Sequence, residues 1–101
     1  MKKGDRVELK MQKVLCAGTA QDDNIYIGHV FQYDEPCECI YIVLQSGELA
    51  DVSQDAIYNC KIHSEKEQIN CIGRIRDRHN GEAGKMLRFE IKNGFYKINL
   101  K

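Results

Sequence analysis

The chain has 101 residues, and its fifteen Lys plus Arg balance fifteen Asp plus Glu. That neutrality excludes a bulk electrostatic pull toward nucleic acid or an anionic membrane and leaves room only for a local basic patch. With 43% hydrophobic and 30% charged residues, this is one globular domain over residues 1–101 with one modest core, and not a disordered chain.

In chain order, "MKKGDRVELK" opens with two lysines and no apolar segment behind them, so it reads as neither a secretory signal nor a membrane span, and a cytoplasmic protein is expected. "RVELKM" puts Val7, Leu9 and Met11 on one face and Arg6, Glu8 and Lys10 on the other, a half-buried strand. "NIYIGHVFQY" alternates Ile25, Ile27, His29, Phe31 and Tyr33 against Tyr26, Val30 and Gln32. "CECIYIVL" is apolar on both faces from Ile40 onward, which suits a central strand. In "SGELADVSQDAI", Ser53 is placed to cap a short helical turn.

Turn signals separate these runs: "QDDN", "DEP", "QSG", "HNGEAG" and "KNG". Their spacing of roughly eight to twelve residues is that of a small all-β barrel or sandwich. Two hairpins acquire a register from residue arithmetic. A turn at "SEKE" pairs Ile62 with Ile69 and Cys60 with Cys71, with a bulge expected where Asn59 would meet Ile72. A two-residue turn at Asn93-Gly94 would pair Ile91 with Tyr96, Phe89 with Ile98 and Leu87 with Leu100.

The candidate chemistry is sparse. Cys37 and Cys39 share a strand face, but no second Cys or His pair follows at zinc spacing. Five cysteines without an export signal therefore read as reduced, buried thiols, and no metal or cofactor is expected. His29, His63 and His79 lie in three separate segments, His29 as a semi-buried strand residue and His63 as a solvated one. No Gly-x-Ser-x-Gly elbow is present, so no catalytic residue is assigned. "GRIRDRH" places Arg74, Arg76 and Arg78 on one strand face, a fork-rich surface suited to phosphate or carboxylate, although a solvated outer face has the same composition. No aromatics are interleaved with these arginines as a nucleic-acid stacking platform requires.

"ADVSQDAIYNCKI" followed by "INCIGRIRDRHNGEAGKMLRFEI", about half the chain, resembles the central and C-terminal part of a PilZ domain, the small bacterial six-stranded β-barrel that binds cyclic di-GMP. Asp51, Ser53 and Ala56 stand where that family's Asp/Asn-x-Ser-x-x-Gly motif has Asp, Ser and Gly, and Gly84 to Phe89 resembles its last strand. "KKGDRVEL" and "LQSGELADV" are similar to the N-terminal barrel that accompanies PilZ in flagellar-brake regulators. Two departures stand out. No arginine occurs between Gln21 and Ala50, where the family's ligand-clasping Arg-x-x-x-Arg would lie, and Ala56 replaces the motif glycine. The resemblance implies a six- to eight-stranded antiparallel split barrel and a bacterial regulatory module. Such a module has lost cyclic di-GMP and acts on another protein, with no nucleic-acid or membrane partner. Two alternatives stand beside it. One is a divergent PilZ domain holding cyclic di-GMP or another phosphate ligand through Arg74, Arg76, Arg78, Asp51 and Ser53. The other is an unrelated SH3-like adaptor.

Overall fold

A computed structural model describes residues 1–99, with side chains described for residues 1–92. Six antiparallel strands form one ring-like sheet: β1 (Arg6–Val14), β2 (Ile25–Asp34), β3 (Cys39–Leu44), β4 (Ala56–His63), β5 (Glu67–Gly81) and β6 (Gly84–Asn99). Their order round the ring is β1-β2-β3-β6-β5-β4, and β4 pairs back onto β1. The one helical element among the described residues is a single 3-10 turn, Leu49–Asp51.

The period-two pattern decides which side chains enter the ring. β1 buries Val7, Leu9 and Met11, as its alternation predicts. β2 buries Tyr26, Gly28 and Val30, leaving Ile25, Ile27 and His29 outside. Gly28 has to be a glycine, because a Cβ there would stand 2.4 Å from the Val43 carbonyl oxygen. β3 is buried on both faces apart from Tyr41, the central strand expected from its sequence. Phe89, Tyr58, Ile40, Ile42, Ile62 and Ile69 fill the interior and are fully buried.

The β4–β5 register is the expected one, with Ile62 opposite Ile69 and Cys60 opposite Cys71. It continues without a shift through Asn59–Ile72 to Ile57–Arg74, so the bulge expected there is absent. The second expected hairpin is overturned. Asn93-Gly94 is no turn but lies inside β6, which reverses from β5 at Gly81–Gly84 and runs on to pair along it as far as Glu67–Asn99. Ile72 pairs with Asn93 and Cys71 with Phe95, so Gly94 is an extra residue in the ladder, as Lys92 is between Asn93 and Ile91. Such bulges bend and twist a strand, which is what a long strand curling round a ring needs. Leu100, part of the discarded pairing, lies outside the described residues.

A third β5–β6 bulge falls at Arg76, between the pairs Ile75–Phe89 and Asp77–Arg88. Beyond it Arg78 pairs with Leu87, a fully buried residue, and paired residues point to the same side of a sheet. Arg74, Arg76 and Arg78 therefore do not share one face. The insertion turns Arg78 toward the inner side.

Candidate functional site

The sequence-predicted residues converge on the segment between β3 and β4, residues 45–55, which packs across one end of the ring. Val52 anchors it, fully buried in the core. Glu48 opens the 3-10 turn, its N–H donating to the Asp51 carboxylate at 3.2 Å. Ser53 does not cap this turn, because the helical residues precede it; its Oγ instead accepts the Asp55 N–H at 3.0 Å. Gly47 takes a φ of +82°, a conformation that glycine adopts without strain, and a Cβ there would stand 3.0 Å from the Tyr26 ring.

Two arginines hold this segment by its carbonyls. Arg78 Nη1 donates to the oxygens of Leu49 at 3.0 Å and Ala50 at 3.3 Å, and to that of Val52. Arg74 Nε donates to the Gln54 oxygen at 3.1 Å, and the Gln54 amide returns a bond to the Arg76 carbonyl at 3.1 Å. Lys85 adds a bond to the Gly47 oxygen at 2.8 Å and an ion pair with Glu48 at 3.2 Å. A guanidinium suits this task because its planar fork places several donors on adjacent acceptors.

Tyrosines complete the seal from within. Tyr58, fully buried, accepts the Ser53 N–H on its hydroxyl at 2.9 Å. Tyr26 donates its hydroxyl proton to the Asp22 carboxylate and lies 3.2 Å from the Asp51 carbonyl oxygen. The Tyr26 hydroxyl holds the Asp22 carboxyl below its ordinary range, while burial, followed by Asp22, pushes the phenol of Tyr26 up. Burial likewise raises Tyr58.

The segment separates two shallow grooves. Asp51 and Ser53 line one of about 460 Å³ together with Asp22 and Tyr26. Arg74 and Arg76 line another of about 430 Å³ with Gln54 and Asp55. Arg74 lies 4.0 Å from Asp55, and Arg76 lies 3.9 Å from Glu90. Arg78 lines neither groove. The five predicted site residues are thus neighbours along one loop but do not face one cavity, and each groove carries a carboxylate that opposes a bound anion.

Sequence reading missed Tyr26, Tyr58 and Lys85, whose roles depend on where the ring brings β2, β4 and β6 against the loop. His63, read as solvated, is partly exposed, and its Nε2 meets the Glu8 carboxylate, a partner that only the β1–β4 pairing reveals. Among the cysteines, Cys39, Cys60 and Cys71 are buried as expected, but Cys16 and Cys37 are exposed, and all five are free. Among the described residues, no three His, Cys, Asp or Glu gather as a metal site, and no helix is long and apolar enough to cross a membrane. No family model, curated protein or solved structure matches the chain.

Proposed function

We propose that this chain is a non-catalytic regulatory module, a PilZ-like β-barrel that has lost its cyclic di-GMP clamp and works by binding another protein. The observation that carries this reading is the commitment of Arg74 and Arg78 to loop carbonyls. A dinucleotide receptor needs free guanidiniums aimed at phosphate and base edges, and these two are spent on holding the chain's own β3–β4 segment. The lack of arginines between Gln21 and Ala50 and the carboxylates of Asp22 and Asp55 beside the two grooves add to it. Isothermal titration of cyclic di-GMP into the purified protein tests the reading. No saturable heat is expected, and stoichiometric binding at micromolar affinity overturns it.

A second reading, a retained phosphate site, draws on the exposed Arg76 beside Arg74 in the Gln54–Asp55 groove. In that case Arg76→Ala weakens whatever nucleotide the wild type binds. An identical response from wild type and variant to every nucleotide tried removes it.

A further inference from the structure

The outer face of β2, β1, β4 and β5 forms one flank of the ring. Its rows follow from the pairing: Ile27, Glu8, Lys61 and Asn70 in one, and Ile25, Lys10, Asn59 and Ile72 in the next. Arg6 and Lys13 flank these rows along β1. The face thus carries Arg6, Lys10, Lys13 and Lys61 against one acid, Glu8, which Arg6 at 4.0 Å and His63 already engage. Lys10, Lys13 and Lys61 have no ion-pair partner among the described residues. The balancing carboxylates lie elsewhere: Asp34, Glu35 and Glu38 at the β2–β3 turn, and Asp22, Asp51 and Asp55 around the loop. The outer face of β1 and β4 is thus locally basic.

A groove of about 410 Å³ lies between Lys10 and Lys61, and its one lining carboxylate, Glu8, is the one engaged by Arg6 and His63. Ile25, 52% exposed, and Ile72 form apolar walls, and the side-chain amides of Asn59 and Asn70 offer donors and acceptors between them. Lys10 lies directly across from Asn59, two residues from Lys61, so the two ammonium stems occupy diagonal positions about 7–8 Å apart. Alternate side chains of an extended chain repeat at nearly the same interval, about 6.6–6.8 Å. No Phe or Tyr of the described residues lines the groove, so the stacking surface that single-stranded nucleic acid uses is lacking.

We propose that this face docks an acidic, extended segment of a partner protein, its carboxylates on Lys10 and Lys61 and an apolar side chain between Ile25 and Ile72. The proposal rests on the interaction-module reading and gives that module its surface and the chemistry of its partner. Lysines desolvated by such a segment make charge-assisted contacts, and complementary charge sets both affinity and partner choice.

The test uses a fluorescein-labelled peptide of repeating Glu-Leu-Ser, the same peptide with Lys for Glu, and a labelled oligothymidylate, each titrated by fluorescence anisotropy. Wild type binds the acidic peptide saturably and the basic one not at all, and the affinity falls as salt rises. The double variant Lys10→Glu/Lys61→Glu loses about tenfold or more; Arg88→Glu, on the β3–β6 side of the ring, loses less than about twofold. In amide NMR spectra of the wild type, the side-chain signals of Asn59 and Asn70 shift on peptide addition, a readout independent of how the variants fold. A flat acidic-peptide titration, unchanged affinity in the folded double variant, shifts confined to other residues, or preference for oligothymidylate each overturns the proposal. The two readings fail separately: saturable cyclic di-GMP binding refutes the ligand-free module, whereas a flat peptide titration refutes the docking face.

Discussion

Replacing Arg78 with methionine keeps most of the stem's volume and removes the fork that holds residues 49–52. One guanidinium nitrogen meets three carbonyls, but an –NH2 group has two protons, so two bonds are lost at any moment. A hydrogen bond from a charged donor contributes about 1.5–3 kcal/mol net, and the partial exposure of Arg78 places each bond at the lower end. Arg78→Met should therefore cost about 3 kcal/mol, a large share of the roughly 5–15 kcal/mol that stabilises a typical domain. Arg78→Lys keeps the charge without the planar fork and should recover about half of that loss. Urea unfolding followed by circular dichroism gives the change in midpoint, and limited proteolysis reads the loop directly, with cleavage appearing between Gly47 and Asp55 in the methionine variant. A loss below about 0.5 kcal/mol with unchanged protease resistance would refute the arginine clamp.

Four further outcomes follow from the geometry. Gly73→Ala puts a Cβ 2.1 Å from the Glu90 carbonyl oxygen and 2.7 Å from the Phe89 ring, so it should cost about 3 kcal/mol or more and lower the melting temperature sharply; a near-neutral variant would mean β5 and β6 are not paired as described. Tyr58→Phe removes the acceptor for the Ser53 N–H and should cost about 1–2 kcal/mol by urea unfolding, whereas Tyr41→Phe, at a partly exposed site, should change stability by less than about 0.5 kcal/mol. Because the Tyr26 hydroxyl depresses the Asp22 carboxyl in the folded state, that contribution is fully present above the ordinary Asp range and is lost as pH falls through the lowered value. Urea midpoints of wild type should accordingly fall more steeply than those of Asp22→Asn below about pH 4, and parallel curves would contradict the bond. Thiol titration with a disulfide reagent should show two fast groups, Cys16 and Cys37, and three that react only on unfolding, Cys39, Cys60 and Cys71. Of the fast pair Cys37 should be the slower, because Asp34 raises its thiol pKa. Three or more fast thiols would mean the ring is open.

The class of fold was legible because a strand repeat of two residues survives in β1, β4 and much of β5 without help from tertiary structure. The β4–β5 register was legible because a short polar turn forces Cys60 opposite Cys71. The misplaced hairpin and the divided arginines share one cause: a bulge inserts a residue that no periodicity announces. Asn93-Gly94 carries the composition of a tight turn, yet with Gly81–Gly84 already reversing the chain, residues 91–99 are the ones that can continue the β5 ladder, and the dipeptide is absorbed as a bulge. The bulge at Arg76 likewise turned three apparently equivalent arginines into one on a loop carbonyl, one exposed at the insertion, and one facing inward. The cluster of Asp51, Ser53, Arg74 and Arg78 along one loop was visible as neighbouring motifs. Its purpose was not, because a guanidinium that binds a phosphate and one that binds backbone carbonyls look the same in sequence.

The most direct test of the account is an NMR titration of cyclic di-GMP that follows the guanidinium Nε–H signals of Arg74 and Arg78 in labelled protein. The account predicts that the Arg74 Nε–H, bound to the Gln54 carbonyl, exchanges slowly with solvent and that neither signal moves at any concentration of the dinucleotide. Saturable movement of both signals, with release of residues 49–54, would contradict it.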